Sequence, residues 1–349
     1  MRDDCEVRLM DVDLFRKAGQ RVAGWRRIMI LSHDRPDGDA LGAMASMQRV
    51  LQGLGHQAVA FTYDTVPPRY TFIDEIAGFH RWSNDAPADI DARFDGLLIV
   101  DTCSWSQLEP AAEYLKASRL PKVVLDHHAT RDLLTVNHTD DFYAIDATSA
   151  SACGLAYEWC ELMGWPVDCK GGEALFAGMA ADTGWFRFSN TDGRTMRAAA
   201  ALLERCNLRA DILYTRLNAS YSPARLRLMR HMLDTLEFHA DGKVATIELT
   251  REMFEKAGAT PTDAEELVNE PMAARSVMAT VLMTDMGDGV VRLNFRSKSP
   301  ELIGREIDVA AIAHAFGGGG HHRAAGARVP GTLSTVRPAV LAAVLAAVT

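Results

Sequence analysis

The chain has 349 residues, 48% of them hydrophobic and 24% charged, with a formal net charge of −9. That length exceeds one ordinary domain, the composition excludes wholesale disorder, and the acidic balance excludes a global field that would hold long nucleic acid as a stable partner. With 14 Lys and Arg against 15 Asp and Glu, residues 221–349 are close to neutral, so nearly all of the acidic excess falls in residues 1–220. Cys5, Cys103, Cys153, Cys160, Cys169 and Cys206 form no CxxC pair and no zinc spacing, which implies free thiols in a reducing compartment. Asp3, Asp4 and Glu6 do not suit a secretory leader, and no apolar run reaches bilayer-spanning length. A cytoplasmic location without a membrane partner is therefore expected.

In chain order, apolar strands are predicted at 27–31, 58–61, 97–100 and 122–125, with a helix at 40–54 ended by Gly55. Near-continuous apolar strands separated by helices imply a parallel sheet covered on both faces, with ligands gathering at the carboxyl ends of its strands. From 149 to about 230 the pattern is helical, with candidates at 149–163, 173–181, 194–206 and 223–236 and a helical connector around 208–221. Strands follow at 244–249, 276–284 and 290–296, the last two joined by a turn at Gly287-Asp288-Gly289. A short helix at 309–315, a glycine-rich loop at 317–326 and an apolar terminal helix at 338–348 complete the reading.

The chemistry concentrates where strands end. In His33-x3-Asp37-x-Asp39, after the run 28–31, two alternating carboxylates can diverge toward adjacent metal ions; an Asp-rich surface turn is the plainer alternative. Asp101 directly follows 97–100 and would either bridge two cations or cap the next helix. In Asp126-His127-His128 the adjacent imidazoles point differently, so one can ligate while the other faces substrate. Asp182, before Thr183-Gly184, sits at a helix end where it can turn into a cleft. Hard oxygens mixed with imidazole at shared strand ends point to a divalent-metal hydrolase. Farther on, Arg296 could hold phosphate bidentately or be an ordinary surface arginine. The glycine loop with His321 could offer backbone N–H groups to an anion or act as a flexible linker.

Taken together these motifs resemble the DHH phosphoesterase family, and within it the subgroup acting on very short RNA and on 3′-phosphoadenosine 5′-phosphate (pAp). Residues 32–39 match the first family motif, Val100-Asp101-Thr102 the second, Asp126-His127-His128 the third and Asp182-Thr183-Gly184 the fourth. Phe295-Arg296-Ser297, Gly317-Gly318-Gly319-Gly320-His321 and Ala324-Ala325-Gly326 match the DHH-associated domain. The resemblance implies an α/β protein with a parallel-sheet catalytic domain at 1–205 and a helical connector at 206–228. A smaller α/β substrate-binding domain at 229–349 would follow, with the active site in the cleft between the two domains. It also implies two Mn²⁺ ions. His33, Asp37 and Asp101 would hold one; Asp39, Asp101, His127 and Asp182 the other; Asp101 would bridge, and His128 would lie near the scissile phosphate.

Arg296, Ser297, Gly318, Gly319, Gly320 and His321 would grip the nucleotide. The expected activity is manganese-dependent hydrolysis of short oligoribonucleotides or pAp. Cyclic or linear dinucleotides are the alternative substrates; inorganic pyrophosphatase and a non-catalytic nucleotide-binding regulator rank below. Short RNA or small nucleotides are the expected partners, and the assembly is left open, a homodimer included.

Overall fold

The computed structural model describes residues 10–82, 89–128, 141–218 and 221–348; Cys5 and the acidic residues Asp3, Asp4 and Glu6 lie outside them. The described chain divides into two compact units, Met1–Ser220 and Tyr221–Thr349.

The first unit is built on strands that are apolar on both faces. β1 (Arg27–Leu31), β2 (Gln57–Thr62), β3 (His80–Arg81), β4 (Gly96–Val100), β5 (Lys122–Asp126) and β6 (Phe142–Ile145) form a parallel sheet in the order β3-β2-β1-β4-β5-β6. Along β1, Ile28 and Ile30 enter one core while Met29 and Leu31 enter the other, and β4 divides Leu98 and Val100 from Leu97 and Ile99 in the same way. Two buried faces are why these strands read as unbroken apolar runs rather than alternating ones. The strand order reverses between β1 and β4, so the crevice at their carboxyl ends is where such a sheet binds ligands.

The helix that follows β1 and the helix that ends at Asp182 meet at that crevice. α1 (Val12–Ala23) packs under the sheet, and α2 (Gly38–Gly53) follows β1 directly. α2 begins at Gly38 rather than 40 because Asp37 caps it. The helix Cys169–Asp182 begins four residues before the predicted start; Asp168 caps it by accepting from Gly171 N at 2.7 Å, and Gly171-Gly172 weakens the helix signal in the sequence. These two helices pack antiparallel through small residues. A Cβ on Gly42 would stand 2.5 Å from the Ala174 carbonyl oxygen, and one on Gly38 2.6 Å from the Ala181 Cβ. So close an approach sets the amino end of α2 against the carboxyl end of the helix that finishes at Asp182.

The second unit carries a mixed sheet in the order β11-β12-β10-β9-β8-β7. Its strands are β7 (Glu237–His239), β8 (Val244–Thr250), β9 (Ala279–Asp285), β10 (Val290–Ser297), β11 (Gly319–His321) and β12 (Ala324–Pro330). Only the β8–β9 pair is parallel. Residues 317–326 are not an open loop: Gly319 pairs with Gly326 and His321 with Ala324, making a tight antiparallel hairpin at the sheet edge. Glycine permits it, since a Cβ on Gly318 would lie 2.1 Å from the Gly326 carbonyl oxygen. The terminal helix runs from Leu333 to Val348 and buries Val336, Val340, Val344 and Val348 along one stripe in the core of this unit. Of the expected 206–228 connector, helix Ala210–Asn218 lies in the first unit, and helix Pro223–Leu233 begins within it and lies in the second. Among the described residues no helix is long and apolar enough to cross a membrane.

Candidate metal centre

The ends of β1, β4 and β5 and of helix Cys169–Asp182 deliver seven side chains to one place. After β1, Asp37 accepts from the Asp39 and Ala40 backbone N–H groups (2.9 and 3.1 Å), opening α2 and fixing where Asp39 stands. After β4, Asp101 adopts φ 59, the left-handed conformation that a short polar side chain tolerates, and it is only 2% exposed. Its two oxygens face different partners. Oδ2 lies 3.5 Å from His33 Nε2, while Oδ1 lies 3.3 Å from His127 Nε2. The same His127 nitrogen is 3.7 Å from Asp39 Oδ2 and 3.9 Å from Asp182 Oδ2. Ligand atoms of His33, Asp37 and Asp101 lie within 4.8 Å of one another, as do those of Asp39, His127 and Asp182. The structure thus gathers His33, Asp37, Asp39, Asp101, His127, His128 and Asp182 into one site; Asp101, His127 and His128 form a third such group, and Asp101 faces both His33 and His127.

The orientation of the imidazoles is set from behind. His127 Nδ1 lies 3.2 Å from the Ser149 carbonyl, so it carries the proton and leaves Nε2 toward the carboxylates. His128 Nδ1 bonds Asp126 Oδ1 at 2.8 Å, leaving Nε2 toward the outside. Asp126, which the sequence shows in the motif but without a role, is fully buried. Its Oδ1 also accepts from the backbone N–H of His127 (2.8 Å) and His128 (3.3 Å). Asp39 is held by the amino end of helix Ala152–Met163: Ala152 N donates to Oδ2 at 2.6 Å and Cys153 N to Oδ1 at 2.9 Å. That anchor comes from 113 residues along the chain. Its sequence signal is the run Ser149-Ala150-Ser151 before an apolar helix, with Ser151 as cap.

Like charges crowd this site. Burial pushes the Asp39 carboxyl well above its ordinary range, and the neighbouring Asp101 and Asp182 charges push it further. Burial also carries Asp182 up, to about 6, against the pull of His127. Burial alone would raise Asp101 and lower the imidazoles. Their mutual contact outweighs it, holding Asp101 at about 2 and lifting His127 to about 10. Asp101 Oδ1, although close to His127, has no donor in hydrogen-bond geometry, and Asp126 Oδ2 has none either. A buried carboxylate oxygen without a donor, among like charges, is costly. Divalent cations satisfy both conditions, and carboxylate oxygen with imidazole is the donor set of a hard or borderline metal. The residues present therefore fit a divalent metal.

The residues predicted to hold substrate lie in the second unit. Arg296, on β10, is partly buried, which lowers its pKa from the ordinary value, and its guanidinium donates to the Phe295 carbonyl at 2.9 Å. The Ser297 hydroxyl donates to the Ile307 carbonyl at 2.8 Å and supports the fold locally. Gly318 precedes β11, which contains Gly319, Gly320 and the exposed His321. Next to it, His322 Nδ1 faces Glu306 and Asp308 at 3.4 and 3.3 Å, which leaves His321 as the uncommitted histidine of the pair.

Comparison with known proteins agrees with this layout. The DHH family, N-terminal domain, matches residues 27–179, and the DHHA1 domain matches residues 241–349. The chain is 26% identical over 314 residues to the bifunctional oligoribonuclease and PAP phosphatase NrnA of Bacillus subtilis, covering 86% of this chain and 89% of that protein. It is 28% identical over 306 residues to the protein of the same name from Thermus thermophilus, covering 87% and 84%. A crystal structure of an exopolyphosphatase-related protein from Bacteroides fragilis superposes with a TM-score of 0.85 at 21% identity, covering 97% of each chain. With both domain models matched in order along its length, the chain carries a DHH family N-terminal domain followed by a DHHA1 domain, and is a phosphoric ester hydrolase.

Proposed function

We propose that the chain is a manganese-dependent phosphodiesterase that hydrolyses very short oligoribonucleotides and removes the 3′-phosphate of pAp. The observation that carries the reading is Asp101, whose two oxygens face separate donor sets, His33 with Asp37 and His127 with Asp39 and Asp182. His33, Asp37 and Asp101 would hold one cation, and Asp39, Asp101, His127 and Asp182 the other. Bound there, the cations would supply hydroxide near neutral pH and offset phosphoryl charge. His128, pinned through Nδ1 by Asp126, presents Nε2 as a donor to a phosphoryl oxygen or leaving group. Arg296, Ser297, His321 and the backbone of Gly318, Gly319 and Gly320 are the proposed hold on the nucleotide.

The substrate class is supported by the names of the two relatives, oligoribonuclease and PAP phosphatase. It is supported as well by the net charge of −9, which offers no electrostatic track for a long strand. The test is a panel of RNA lengths and pAp with purified protein and Mn²⁺. Di- to pentanucleotides and pAp are expected to turn over much faster than a 40-mer. Equal rates on a 5-mer and a 40-mer would overturn the short-substrate reading.

Grip separates from chemistry in Arg296→Ala. Losing a charged hydrogen bond to phosphate should lower kcat/KM on dinucleotides by about 1.5–3 kcal/mol. Metal content should stay unchanged, because no ligand is lost. Unchanged dinucleotide kinetics would remove Arg296 from the substrate contacts.

A further inference from the structure

Immediately after Asp182 the backbone does something uncommon. Gly184, Trp185 and Phe186 are three consecutive residues with φ of 56, 60 and 62°. Bulky aromatic residues rarely adopt this conformation, and it is held only where the surroundings over-determine it. Here they do. The Trp185 and Phe186 rings pack on Phe176 with centroids 5.9 and 5.6 Å apart, and Trp185 meets the edge of Tyr214 at 5.1 Å. Thr183 ties the turn from inside. Its hydroxyl donates to the Met179 carbonyl at 2.6 Å and accepts from Phe186 N at 3.0 Å, and its carbonyl accepts from the backbone N–H of both Arg187 and Phe188.

What this scaffold presents is Phe188. Its ring lies across Gly184, where a Cβ would stand 2.3–2.6 Å from the ring carbons, yet the residue is 53% exposed. One face therefore rests on bare backbone that only glycine can offer, and the rest is open to water. The end of the turn is fastened to the rim of the metal centre. Asn190 Nδ2 donates to the carbonyls of Asp182 (3.3 Å) and Ala150 (3.1 Å), and Ala150 adjoins the Ser149 carbonyl that orients His127. Trp185 and Phe186 absorb the strain, and the aromatic that gains nothing for the core is left at the edge of the site.

We propose that Phe188 is a stacking platform for the nucleobase of a nucleotide whose phosphate occupies the metal centre. The inference rests on the phosphodiesterase reading above and deepens it: the ligand recognised is a nucleotide rather than a bare phosphate ester. Stacking accepts every base, because every base has a π-face, so Phe188 confers nucleotide affinity without sequence preference.

The test compares AMP with ribose 5-phosphate, binding each by calorimetry to the Mn²⁺-loaded protein. Wild type is expected to bind AMP about 5- to 150-fold more tightly, the range for one stacked base. Phe188→Ala and Phe188→Leu should erase that advantage, leaving ribose 5-phosphate binding and metal content unchanged, while Phe188→Trp keeps it. Leu retains apolar bulk without a π-face, so AMP binding to Phe188→Leu at wild-type strength would overturn the proposal. Equal affinity of wild type for the two ligands would also overturn it. Dinucleotide hydrolysis by the same wild-type sample reports separately on the phosphodiesterase reading, since its absence would refute that reading whatever the AMP comparison gives.

Discussion

Asp101→Ala will abolish turnover on dinucleotides and will reduce bound metal at both donor sets, not one. The reason is geometric. Asp101 is 2% exposed, and each oxygen faces a different histidine, His33 at 3.5 Å and His127 at 3.3 Å. Truncation removes an anionic ligand from both sets and leaves His33 and His127 facing an empty space. Asp101→Asn keeps the volume but loses the charge, and it should fail nearly as completely, which separates loss of ligation from loss of packing. A control substitution at Arg296 should leave metal content intact. Measuring metal per chain and dinucleotide turnover on the same samples decides the matter. Asp101→Ala with full metal content and near wild-type turnover would show that the carboxylate bridges nothing.

Much of the first unit was legible because its physics is local. β1, β4 and β5 are short runs buried on both faces, and their ends carry His33 (after Ser32), Asp101 and Asp126-His127-His128. The residues that orient those ligands were not legible, because they come from distant segments through backbone groups. The Ser149 carbonyl behind His127 and the Ala152 and Cys153 N–H groups behind Asp39 are marked in the sequence only by the Ser149-Ala150-Ser151 run before the helix, which does not say which ligand they hold. α1 escaped notice because its buried stripe, Phe15, Ala18, Gly19 and Val22, has the helical spacing but includes two residues of small apolar content. β6 (Phe142–Ile145) was missed although it is as long as the strands predicted at 58–61 and 97–100. Residues 317–326 misled in the opposite direction. Consecutive glycines suggest a flexible loop, whereas here they allow two backbones to approach as a hairpin.

The most direct test of the account strips the metal and returns it. Chelated, dialysed protein should hydrolyse no dinucleotide, and Mn²⁺ added back should restore activity at two ions per chain. The return should also release protons. Without a cation the neighbouring carboxylates hold the His127 pKa above the ordinary imidazole value, and the proton this favours on the ring must leave before Nε2 can ligate. Metal affinity should therefore rise with pH from 6 to 9, by up to about tenfold per unit for each proton displaced, and fall away at lower pH as Asp182, near 6, takes up a proton too. Calorimetric titration in buffers of different ionisation enthalpy counts ions and protons together, with turnover followed in parallel. The account predicts two Mn²⁺, proton release at pH 7 and full recovery of dinucleotide hydrolysis. Wild-type activity in the stripped protein, or restoration by a single ion without proton release, would contradict it.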